Sequence, residues 1–125
     1  MMGSTNKRFK IAAEDLRSIA EGHGAAFASD MVVVEGHRVG FMYRERPDFL
    51  EDSGWRFMSG FESDEYVSNP ANFGIYDINT IANYDPDIVP LLRQPIGSEF
   101  QRDPESGVFS DVGDGHLADS PEPPN

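Results

Sequence analysis

The side chains best suited to acid–base or metal chemistry are three histidines, His23, His37 and His116. Histidine titrates near neutral pH and is the commonest metal ligand. No two of the three stand at the two- or four-residue spacing that builds a zinc site on a strand or a helix. The chain also has no cysteine, so thiolate ligands and nucleophiles are excluded. We therefore predict no catalytic residue, no metal site and no cofactor.

Carboxylates are far more numerous, with 22 Asp and Glu residues against 10 Lys and Arg. Pairs such as Asp64 with Glu65 provide the side chains that glycosidases use, but that chemistry also needs a fixed separation across a cleft. Residues 77–79 begin like a calcium loop, yet its next ligand and its glycine would fall on Ile81 and Ala82. The carboxylates therefore predict a charged surface rather than an active site.

The negative charge is concentrated in the second half of the chain. Residues 1–56 carry 8 basic and 9 acidic groups, whereas residues 57–125 carry 2 and 13. Such a field repels nucleic acid and anionic membranes and attracts cationic proteins. We predict a protein partner, with no nucleic-acid or membrane binding. The lack of cysteine and of a long apolar segment favours a cytoplasmic location.

The hydrophobic pattern predicts an α+β fold, with a small, mostly antiparallel sheet, an N-terminal amphipathic helix and one or two short helices packed on it. Apolar residues at three- and four-residue spacing predict the first helix over residues 5–21. Alternating β-branched and aromatic residues predict a hairpin over residues 26–44. In its second strand we expect Val39, Phe41 and Tyr43 to face the core.

The remaining elements are short. Strands are predicted at 53–60 and 73–77, an acidic loop or single helical turn at 62–66, helical turns beginning at Asn79 and Asp85, and a last hairpin over 98–110. Beyond these the composition changes to Pro, Gly and acidic residues. We predict one domain over residues 1–111 and a disordered acidic tail over residues 112–125.

Four blocks in the middle of the chain carry a family resemblance. They are EGHRVGFMYRE (35–45), DSGWRF (52–57), NPANFGIYD (69–77) and TIANYDP (80–86). In content, order and approximate spacing these blocks resemble the bacterial immunity protein 33 domain, over residues 28–104. The resemblance implies a cytoplasmic, non-enzymatic protein that binds a cognate toxin and blocks it.

Acidic and aromatic side chains on loops are the candidates for partner binding, since carboxylates steer a basic toxin domain and aromatic rings supply contact area. The candidates are Glu62, Asp64, Glu65, Tyr66, Tyr84, Asp85 and Asp87. Two alternatives remain open. In the first, residues 84–86 simply cap a helix and do not bind the partner. In the second, the chain is a small enzyme or anion-binding domain with Arg44 and Arg56 in a cleft. An unpaired edge strand would also permit a homodimer.

Overall fold

A mixed six-stranded sheet forms the centre of the computed structural model, which describes residues 7–113. In chain order the strands are β1 (Ala25–Ser29), β2 (Phe41–Arg44), β3 (Asp52–Met58), β4 (Phe73–Asp77), β5 (Glu99–Arg102) and β6 (Phe109–Asp111). Across the sheet they run β4-β1-β3-β2-β5-β6. β1 and β3 pair in parallel, and the other four pairings are antiparallel. The predicted α+β class is confirmed.

The helices are short and begin at polar caps. They are α1 (Asp30–Val33), α2 (Asp64–Val67) and α3 (Ile78–Tyr84), with 3-10 turns at Ala13–Asp15, Pro70–Asn72 and Pro86–Leu91. Ser29, Ser63 and Asp77 cap α1, α2 and α3 by accepting from a backbone N–H of the first turn. None of the helices within residues 7–113 is both long and apolar enough to cross a bilayer.

The helix predicted over residues 5–21 is wrong across the part of it that the structure describes. Only the turn Ala13–Asp15 is helical. The following stretch is held by α3, because the Asn83 side chain accepts from the N–H of Arg17 at 2.8 Å and donates to its carbonyl oxygen at 2.9 Å. Asn79 also donates to that carbonyl, at 2.8 Å. Tertiary hydrogen bonds to the backbone override the helical pattern here.

The hairpin predicted over residues 26–44 is also wrong. β1 ends at Ser29, whose hydroxyl caps α1, so the apolar run that follows is helical. Val32 and Val33 are completely buried in that helix. β2 pairs with β3 and β5 instead of β1. A short apolar run is compatible with either a strand or a buried helical turn. Here the run after β1 is buried as the helix α1.

One face of the sheet is covered and forms the core. α1, α3 and the turn Pro86–Leu91 contribute to the same cluster of buried side chains as the sheet. The sheet contributes Ala26, Ala28, Met42, Trp55, Phe57 and Phe100 to it. Val39 is buried as expected, but Met42, not Phe41 or Tyr43, is the core residue of β2. Those two rings lie on the opposite face.

The other short elements match their predictions. β3, β4, the turn at α2, the Asp85 cap and the β5–β6 hairpin all occur where the pattern placed them. α3 begins one residue before Asn79, with Asp77 as its cap. Val112 and Gly113 donate to the carbonyl oxygen of Glu99. The remainder of the predicted tail, residues 114–125, lies outside the described part of the chain.

Candidate functional site

The predicted acidic segment at α2 has one carboxylate turned inward and two turned outward. The Glu62 carboxylate accepts from the N–H groups of Ser59 and Gly60, each at 2.9 Å. Burial by itself raises the pKa of Glu62, but hydrogen bonds from Ser29 and Ser59 help to outweigh it and lower the pKa. Asp64 and Glu65, in the first turn of α2, are exposed. They are therefore the members that can meet a partner.

Tyr66 connects α2 to the sheet. Its ring packs edge-on against Phe73 of β4, with centroids 6.1 Å apart. The Asn72 side chain also donates to the Tyr66 carbonyl oxygen at 2.9 Å. Tyr66 thus fixes the position of α2 beside the sheet.

The second predicted segment, around Asp85, is mostly structural. Asp85 is 2% exposed, accepts from the Val39 N–H at 2.9 Å and forms a hydrogen-bonded ion pair with Arg102. The same carboxylate caps the turn Pro86–Leu91. The capping interpretation is therefore confirmed for Asp85. Its charge is paired inside the protein with Arg102.

The two neighbours of Asp85 differ in exposure. The Tyr84 hydroxyl accepts from the Ile11 N–H at 2.9 Å and so anchors the N-terminal segment. Asp87 is more than half exposed and pairs with Arg38 at 3.0 Å and Arg102 at 2.9 Å. Hydrogen bonds from these two guanidinium groups, Arg102 first, lower the pKa of Asp87. Of this segment, Asp87 alone presents an exposed carboxylate.

Arg56 occupies the middle of β3 inside a dense ion cluster. It is only 3% exposed and donates from Nε to Glu45 at 2.6 Å. Both Nη atoms donate to the two oxygens of Asp52 at 2.9 Å. Asp48 lies 3.9 Å away, and the Phe27 ring packs under the guanidinium at 4.3 Å. One cation thus faces three carboxylates.

The pair of Asp52 and Arg56 in this cluster keeps its charges at ordinary pH. Burial by itself raises the pKa of Asp52, but hydrogen bonds from Arg56 and from backbone N–H groups outweigh it and lower the pKa to about 2. Burial lowers the pKa of Arg56, and the hydrogen bonds and charges of Asp52 and Glu45 more than compensate, so that it is raised. Asp52 and Arg56 therefore attract each other as opposite charges until the pH approaches the lowered pKa of Asp52.

The arrangement of Arg44 and Arg56 does not form the anion cleft of the alternative interpretation. Arg44 donates to the carbonyl oxygens of Ser53 and Gln94 at 2.9 and 2.8 Å and lies over the ring of Trp55, on the core face. Arg56 lies on the opposite face of the sheet. The two guanidinium groups point to different sides and already bind protein oxygens.

The sheet face that carries Arg56 was missed as a site by sequence reasoning. We call this sheet face the open face. Its apolar side chains are Phe27, Phe41, Tyr43, Met58, Phe73 and Ile75. The alternation of side chains in β2 and β4 already indicated a second apolar face of the sheet. The sequence pattern did not show which of the two faces the helices cover. Burial, with the charge of Glu45, raises the pKa of Tyr43. Its hydroxyl is thus neutral at ordinary pH.

Three hollows lie along the open face and meet at Val67 of α2. The largest, of about 470 Å³, lies between Phe27, Val67, Phe73 and Ile75. Smaller hollows of about 180 and 230 Å³ lie toward Arg56 and toward Phe41. Within residues 7–113 no three His, Cys, Asp or Glu side chains are grouped so as to hold a metal ion.

A family model described as the immunity protein Imm33 domain matches residues 26–113, well over half of the chain. The match confirms the resemblance drawn from the four sequence blocks and extends beyond both ends of 28–104. No curated protein and no solved structure matches.

Proposed function

Because the chain belongs to the immunity protein Imm33 domain family, we propose that it is a non-enzymatic protein that neutralises a cognate toxin by binding it directly. The family match over residues 26–113 is the observation that carries this proposal. We take the toxin to be a basic domain and the place of action to be the cytoplasm.

The charge of the chain supports a basic partner. The net charge is −12, and residues 57–125 hold most of it. A field of this kind accelerates association with a cationic protein and weakens as salt screens it. Toxin domains that act on nucleic acid need a basic surface to bind phosphates. Carboxylates of an inhibitor can occupy that surface and compete with the phosphates.

The exposed carboxylates of the two predicted segments are assigned to this contact. They are Asp64 and Glu65 on α2, and Asp87 beside Arg38. Glu62 and Asp85 support the contact indirectly, because their oxygens hold neighbouring backbone N–H groups. Tyr66 positions α2 through its packing on Phe73.

Neutralisation is tested by cross-linking and purifying the tagged chain from its native host, identifying the bound protein and expressing that protein alone. We expect the partner to stop growth of a bacterial host when expressed alone. We also expect co-expression of this chain to restore growth, and the purified pair to bind with a Kd of about 10 nM. A partner that is harmless alone, or whose toxicity this chain does not relieve, would overturn the proposal.

The steering role of α2 is tested by charge reversal. The Asp64→Lys/Glu65→Lys variant should associate with the toxin about tenfold more slowly at low salt, and the difference should shrink at high salt. The matched control is Glu14→Lys/Asp15→Lys, which makes the same charge change on exposed residues of another short turn. Equal effects of the two pairs would show that only net charge matters and that α2 has no special role.

A further inference from the structure

The open face is a sheet surface that nothing in residues 7–113 fully covers. On β1, β2 and β3 its side chains alternate with core side chains that are almost completely buried. Ile75 of β4 is nevertheless 56% exposed, and Val67 of α2 is 42% exposed. An antiparallel strand pair that faces water on one side normally carries polar residues there. Apolar side chains on this side indicate a surface that another molecule covers.

The aromatic rings of the open face are arranged for contact rather than for closure of the core. Phe41 and Tyr43 lie side by side on β2, with ring centroids 5.6 Å apart. Phe27 stacks on Phe49 from the loop after β2, at 6.4 Å. Rings held in place by neighbours lose little conformational entropy when a partner binds, which is why aromatic residues are frequent at binding hot spots.

Carboxylates lie beside the open face at two places. In the cluster around Arg56, the carboxylates of Glu45, Asp48 and Asp52 surround the guanidinium group. The Glu45 side chain there is 38% exposed, so it can accept from an incoming cation. At the other place, Asp64 and Glu65 stand in the first turn of α2, whose Val67 lines all three hollows.

We propose that the open face is the surface on which the toxin docks, and that the docked part of the toxin is an apolar segment flanked by lysine or arginine. Its apolar side chains fill the hollow between Phe27, Phe73 and Ile75, and its cations pair with the carboxylates on either side. This inference rests on the proposed function, and it adds to it the location of the interface and the chemistry of the segment bound there.

Charge complementarity selects the toxin over two other occupants. A second copy of this chain would bring Glu45 and Asp64 of one molecule toward the same acidic surroundings in the other, and like charges brought together oppose binding. Residues 114–125 contain Asp114, Asp119 and Glu122 and no Lys or Arg, so the same repulsion opposes docking of that segment.

The test compares two double lysine variants by calorimetric titration with the purified toxin domain. Val67→Lys/Ile75→Lys places two cations in the largest of the three hollows on the open face, and both positions are exposed enough for the fold to tolerate lysine. The control is Ile19→Lys/Val108→Lys, with the same charge change at residues that are 41% and 62% exposed elsewhere. We expect the first variant to weaken binding at least about 100-fold and the control to change it less than about threefold.

Other results overturn the inference. Unchanged affinity of Val67→Lys/Ile75→Lys for the toxin would remove the open face as the interface while leaving toxin binding intact. A wild-type dimer in light scattering that this variant dissociates would assign the face to a second copy. A wild-type chain that binds no toxin would remove both this inference and the proposed function.

Footprinting of the wild-type complex tests the same inference without any substitution, so the result does not depend on whether a variant folds. Hydroxyl-radical labelling of Phe41, Tyr43 and Phe73 should fall at least about threefold when the toxin binds, whereas labelling of Phe9, outside the open face, should not change. Equal labelling of the open-face rings in the free and bound protein would contradict the inference without any substitution.

Discussion

Asp52 and Arg56 form a two-pronged ion pair although they stand four residues apart on the same strand. In a regular strand, four residues span about 13 Å. Here, Ala25 of β1 pairs with Asp52 and Phe27 pairs with Arg56. Two steps along β1 therefore match four steps along β3, because β3 bulges between Asp52 and Arg56. The bulge passes through Gly54, whose φ of +92° lies in the left-handed region. The bulge therefore creates the ion cluster.

The first prediction concerns the pH dependence of this pair. The pKa of Asp52 is lowered to about 2 from 3.8, so its stabilising effect is complete above about pH 4 and is lost as the pH falls to about 2. Asp52→Asn should lower the free energy of unfolding at pH 7 by about 2–3 kcal/mol. Urea unfolding at several pH values should show the wild type and the variant converging below pH 4.

The control for this prediction is Asp48→Asn. Asp48 is exposed and lies 3.9 Å from Arg56, so its loss should cost less than about 1 kcal/mol at any pH. A gap between the wild type and Asp52→Asn that stays constant down to pH 2 would mean that the pair does not act through charge.

The second prediction concerns the bulge. A Cβ on Gly54 would lie 2.2 Å from the carbonyl oxygen of Glu45, in addition to the strain of a positive φ. Gly22 has a similar φ of +87° but no heavy atom within 4 Å of that position. Gly22→Ala should therefore cost about 1 kcal/mol of stability, and Gly54→Ala at least about 3 kcal/mol. Urea unfolding followed by the fluorescence of buried Trp55 measures both, and equal losses would contradict the clash.

Local signals in the sequence predicted the local elements. The acidic turn at 62–66, Asp85 before Pro86 and the turn between β5 and β6 each depend on residues a few positions apart, and each was found. The elements that failed depend on distant partners. The segment near Arg17 is not helical, because Asn83, 66 residues away, binds its backbone. The parallel pairing of β1 with β3 has no short-range signature in the sequence.

The same distinction applies to the candidate site. Asp64 and Glu65 were correctly expected on an exposed turn, because a short run of acidic residues is a local pattern. Asp85 gave no sequence sign of its burial, since the groups that hold it come from Val39 and Arg102, 46 and 17 residues away. In β2 large apolar side chains occupy both faces, so alternation alone could not assign Met42 to the core.

The third prediction separates the scaffold from the surface within the segment 84–87. Asp85→Asn removes the charge that faces buried Arg102, and should lower the free energy of unfolding by about 3–4 kcal/mol. Asp87→Asn should cost less than about 1 kcal/mol, because its pairs with Arg38 and Arg102 are partly in solvent. Thermal unfolding of the two variants measures the difference. Equal losses would mean that the buried and exposed pairs contribute alike.

The last prediction concerns the attachment of the N-terminal segment. The side-chain oxygen of Asn79 accepts from the N–H groups of Ile19 and Ala20 at 2.7 and 2.8 Å. Asn79→Ala should therefore accelerate hydrogen exchange of those two amides at least about tenfold, with a loss of about 1 kcal/mol in overall stability. The control is Asn69→Ala, which removes the cap of the turn Pro70–Asn72 at another place. If both variants left exchange at Ile19 and Ala20 unchanged, α3 would not be what holds this segment.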